Sequence, residues 1–68
     1  MATYDVVQKV DGNLVTVSTW VDNKNGAKNS FHERCALLYA DASVTGGVVA
    51  ILDDNLDVVD GKREFIKK

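Results

Sequence analysis

Several kinds of residue are scarce in this 68-residue chain, and each scarcity excludes something. A single cysteine, Cys35, rules out an intramolecular disulfide and any all-cysteine metal site, so packing alone holds the core. A single histidine, His32, leaves few ways to assemble a zinc site or a catalytic dyad. Cations are the minority charge, eight Lys and Arg against ten Asp and Glu, and the net charge of -2 gives no basic footprint for nucleic acid. No apolar run approaches the roughly eighteen residues of a membrane span. The opening Met1-Ala2-Thr3-Tyr4-Asp5 lacks the basic start and apolar stretch of a signal peptide. A cytoplasmic protein without membrane attachment is expected.

What remains reads as a folded chain. Apolar residues make up 46% and charged ones 26%, the balance of folded soluble proteins, and the length suits one domain spanning residues 1–68. Eleven valines, no proline, and thirteen Asp plus Asn describe strands joined by polar turns.

The segment from Thr3 to Val21 is apolar and β-branched, broken once at Asp11-Gly12-Asn13, where a pair able to take positive φ predicts a β-hairpin. A two-residue loop gathers Tyr4, Val6, Val10, Val15, Val17 and Val21 on one face. It leaves Val7, Leu14 and Trp20 on the other, among Thr3, Asp5, Lys9, Thr16 and Ser18. Ala27, Phe31, Cys35 and Leu38 then recur at helical spacing, with Asp22 or Asn23 as the cap and an end near Ala40 to Ala42. Asn25-Gly26 weakens the first turn.

After Thr45-Gly46-Gly47, the apolar run Val48 to Leu52 predicts a strand covered on both faces or nearly so. Asp53-Asp54-Asn55 makes a turn, Leu56 to Asp60 a fourth strand, and Gly61 its end, with Phe65 and Ile66 docking from a lysine-rich tail. The fold class is therefore α+β, ββαββ, one helix packed on a four-stranded antiparallel sheet; a right-handed crossover through the helix can set strand 3 beside strand 1, and the order 2-1-3-4 is taken on that footing. One helix covers one face, so the other, with Val7, Leu14, Trp20 and part of strands 3 and 4, or else an edge strand, is the expected contact surface for a protein partner or a second copy in a homodimer; packing of Trp20 within the chain is the other reading of that residue.

No constellation supports catalysis, and no cofactor or small-molecule substrate is implied. Asp53, Asn55, Asp57 and Glu64 stand at positions 1, 3, 5 and 12 of a calcium-loop spacing, but Val58 occupies the place that needs Gly and a strand-like segment precedes it. The expectation is a hairpin turn and no metal. His32 and Cys35 lie three apart on the helix, yet Cys35 falls in the apolar stripe, away from the electropositive setting of a nucleophile. Gly46-Gly47 precedes a strand, so it is no phosphate cradle. Lys62, Arg63, Lys67 and Lys68 around Phe65 combine charge and stacking as single-stranded nucleic-acid binders do; this is the alternative function, with the acidic balance against it.

The stretches Leu52-Asp53-Asp54-Asn55-Leu56-Asp57-Val58-Val59-Asp60-Gly61, Glu64-Phe65-Ile66 and Phe31-His32-Glu33-Arg34-Cys35-Ala36-Leu37 resemble small uncharacterised proteins encoded by phages and prophage-like elements of Gram-positive bacteria. The resemblance implies a genomic setting and brings no catalytic residue with it.

Overall fold

A computed structural model describes residues 1–67. Its elements are β1 (Thr3–Val10), β2 (Asn13–Val21), α1 (Lys24–Ala40), β3 (Gly46–Leu52) and β4 (Val58–Lys67). The strands form one antiparallel sheet in the order β2-β1-β3-β4, and α1 lies across one face of it. The ββαββ, α+β architecture and the order 2-1-3-4 read from the sequence are the ones found.

Local chemistry accounts for each element. Asp11 and Gly12 both take positive φ, 49° and 89°, and Val10 pairs with Asn13 across the two-residue loop they form. That geometry matches the twist of the flanking strands. The Asp11 N–H donates to the Gly46 carbonyl and the Thr45 hydroxyl to the Asp11 carboxylate, tying this hairpin to the start of β3. Asn23 caps α1 by accepting from the Gly26 N–H at 2.9 Å. The helix ends where Asp41 turns extended. In the second hairpin one Asp53 carboxylate oxygen accepts from the N–H groups of Asn55 and Asp57.

Ala27, Phe31, Cys35 and Leu38 of α1 meet Val6, Val49, Ile51, Val59 and Ile66 of the sheet, with Val44 closing one end. These are the stripe and the strand faces that the spacing predicts, save in two places.

The first correction concerns β2. Val6 pairs with Ser18 and Val7 with Thr16, so Val17 is an extra residue, a β-bulge. Val15 and Val17 keep the predicted helix face, but the phase of everything after the bulge reverses. Ser18 and Trp20 turn toward α1, and Val21 turns away and is half exposed. One inserted residue does this because side chains alternate with a period of two.

The second correction concerns the C-terminal segment. Gly61 does not end the fourth strand: β4 continues to Lys67 through Asp60 and Gly61, both at positive φ, where its register with β3 shifts. Lys24 and Lys28 of α1 hold the Asp60 carboxylate in this irregularity at 2.9 and 3.1 Å. The strand resumes because β3 still offers unpaired backbone back to Gly46. Resumed alternation separates neighbours: Ile66 is 1% exposed in the core, while Phe65, expected to dock, is 62% exposed on the far side. The run Val48 to Leu52 is likewise fully buried only on the helix side, at Val49 and Ile51. Among the described residues, no helix is long and apolar enough to cross a membrane.

Candidate functional site

Cross-strand partners share a face, so the pairing register maps the uncovered side of the sheet directly. One row across it runs Leu14, Lys9, Val48, Phe65; the next runs Thr16, Val7, Ala50, Arg63. A third runs Thr19, Asp5, Leu52, Val58. Lys67, opposite Gly46, extends the first edge. Leu14 and Phe65 stand out at 71% and 62% exposed, and Val7, Val48, Ala50 and Leu52 form a half-buried floor between them. The Arg63 guanidinium lies 6.0 Å from the centroid of the Phe65 ring. Asp5 accepts from the Thr19 hydroxyl at 2.8 Å. Among the described residues the face thus carries the cations Lys9, Arg63 and Lys67 against the single carboxylate of Asp5, the reverse of the chain's overall balance.

Of the residues expected on this surface, Val7 and Leu14 are there and Trp20 is not. Trp20 pairs with Tyr4 on the helix side, and its Nε1 donates to the Ser18 Oγ at 2.8 Å. That oxygen shares a 2.7 Å hydrogen bond with Ser30 of α1. A Cβ on Gly26 would come within 2.5 Å of the indole, so the glycine that weakens the first turn makes room for the ring. The basic group divides as well. Arg63, Phe65 and Lys67 emerge on the open face, whereas alternation turns Lys62 to the helix side; Lys68 lies outside the described residues. Val48, Ala50, Leu52 and Val58 join the surface without having been singled out, although the alternation of the third strand combined with the order 2-1-3-4 contains that assignment.

The other constellations do not converge. Cys35 is buried while its neighbour His32 is exposed, its ring edge-on to Phe31 at 5.2 Å. Burial, reinforced by the charge of Glu64, pushes the Cys35 thiol up, which is the opposite of nucleophile activation. Glu64 accepts from the Tyr39 hydroxyl at 2.6 Å, and this contact raises the Tyr39 pKa. Asp53 is taken up by its own loop, so the calcium-like spacing gathers no ligand set, and no group of three acidic, His or Cys side chains able to hold a metal occurs among the described residues. A hollow of about 400 Å³ beside Tyr4, Lys24 and Asp60 is lined by groups already paired: Asp60 with the two lysines and Asp54 with the Thr3 N–H.

No family model, curated protein or solved structure matches the chain.

Proposed function

We propose that this protein is a non-enzymatic binding module whose uncovered sheet face seats another protein, one presenting an apolar patch edged with carboxylates. The observation behind this reading is the three-row surface: an aliphatic floor of Val7, Val48, Ala50 and Leu52, raised borders at Leu14 and Phe65, and cations at Lys9, Arg63 and Lys67. Contiguous apolar surface on so small a chain stabilises nothing until it is covered. Excess positive charge on the face disfavours stacking it on its own copy and favours an acidic rim. In this reading the module works in the cytoplasm of a bacterium carrying the phage or prophage-like element that the sequence resembles.

Nucleic acid is the competing occupant, because Arg63, Phe65 and Lys67 emerge together beside Lys9. Aliphatic side chains dominate, however, and they offer bases no π-face on which to stack. Titration with the apolar anion anilinonaphthalene sulfonate tests the surface. The folded wild type should enhance its fluorescence, and Phe65→Ser combined with Val7→Thr should lose most of that response. An unchanged response would sink the assignment to this face. A single-stranded oligonucleotide at low salt should not bind; tight, steeply salt-dependent binding abolished by Arg63→Glu would transfer the face to nucleic acid.

A further inference from the structure

The two edges of the sheet are protected very unequally. β4 carries Asp60, Lys62, Arg63, Glu64 and Lys67 together with its irregularity at Asp60-Gly61, the devices that keep an edge from pairing. β2 shares one of these devices, the bulge at Val17, but has no charged residue in all nine positions from Asn13 to Val21. Exposed apolar side chains gather at the same edge. Leu14, Val15 and Val21 belong to β2, and Leu37, 58% exposed, projects from α1 beside it. Between strand and helix runs a groove of about 170 Å³ lined by Val17, Ser30, Glu33, Arg34 and Leu37.

We infer that this edge is the contact with a second copy of the chain, the two β2 strands pairing antiparallel about a two-fold axis to make one eight-stranded sheet. The rim of the groove identifies the occupant. Glu33 and Arg34 sit side by side, and neither has an ion-pair partner within the chain among the described residues. A two-fold axis sets residue i of one copy against j of the other and j against i. Each Glu33 then meets the Arg34 of the other copy, twice per dimer, with Leu37 and Val15 packing inside the charged pairs. An uncharged strand also meets its own copy without like charges opposed. The open face remains outside this contact and becomes continuous across the dimer, so the inference goes beyond the proposed function and either can fail alone.

Sedimentation equilibrium on the full chain reads the outcome. Wild type should associate to a dimer, and Glu33→Arg or Arg34→Glu alone should weaken dimerisation about tenfold or more, since each places like charges together twice. The two single variants mixed in equal amounts should associate with each other, and the doubly reversed chain should regain the wild-type constant. Val15→Lys, which charges the edge, should give a monomer. Phe65→Ser should dimerise normally. Circular dichroism on each variant separates lost association from lost folding. A wild type that stays monomeric at every concentration overturns the inference. So does a dimer indifferent to the charge reversals and to Val15→Lys, or one dissolved by Phe65→Ser.

Discussion

The indole of Trp20 lies against Gly26 in the first turn of α1 and donates its only hydrogen bond to Ser18, which is itself bonded to the helix. Glycine inside a helix ordinarily costs up to about 1 kcal/mol relative to alanine, so Gly26→Ala should stabilise on propensity alone. Here the new Cβ would strike the ring, and the sign reverses: Gly26→Ala should lose about 1 kcal/mol or more in urea unfolding. Trp20 should also emit to the blue of free indole. In the same two turns of the helix, hydrogen bonds from Lys24 and then Lys28, on either side of Gly26 in the chain, lower the Asp60 pKa below the ordinary carboxylate value. A depressed folded pKa contributes stability that is present above the unfolded value of about 4 and fades as pH falls through the folded one. Asp60→Asn keeps a residue that tolerates positive φ and removes only the charge. Its urea midpoint should fall below wild type at pH 7, and the gap should close as pH falls through the depressed folded pKa.

Irregularities in the two edge strands decide what each of them presents. The bulge at Val17 sends two successive residues of β2 toward the helix, which brings Ser18 and Trp20 inside and releases Val21. The irregularity at Asp60-Gly61 lets β4 span a turn-like pair and resume, so Ile66 enters the core and Phe65 leaves it. Substitution should separate these two neighbours. Ile66→Ala should cost about 3 kcal/mol, while Phe65→Ser should stay within about 0.5 kcal/mol, both from denaturant curves. Equal costs would mean that the strand does not alternate as described. The hairpin at Asp11-Gly12, the Asn23 cap and the stripe of Ala27, Phe31, Cys35 and Leu38 were legible beforehand, because each depends on residues within one turn of one another. Neither irregularity was legible, because a bulge is defined by the strand opposite and nothing in Val17-Ser18 or Asp60-Gly61 names that partner.

At the scale of the whole molecule, one buried cluster joins the helix to all of the sheet except β2, which contributes half-buried Val17 and Trp20. Every element therefore shares one core, and unfolding should be a single cooperative step in which Trp20 fluorescence and far-ultraviolet circular dichroism trace the same curve. Separate transitions would show that β2 opens on its own. The layer count also explains which surface stays open: one helix cannot cover both faces of four strands, and the uncovered face holds Val7, Leu14 and Phe65 with a surplus of cations. Sequence by itself determined the element order, the helical stripe and the existence of an open face, since periodicity and turn chemistry are local or nearly so; the connection rule admits the order 2-1-3-4, and the tertiary structure selects it. Only the tertiary structure decided that Trp20 packs against the core from the helix side, that the tail through Lys67 is a strand, and that Arg63, Phe65 and Lys67 join Val7 and Leu14 on one surface. Those assignments depend on pairing register, and register is set between strands distant in sequence, where one residue more or less exchanges inside for outside.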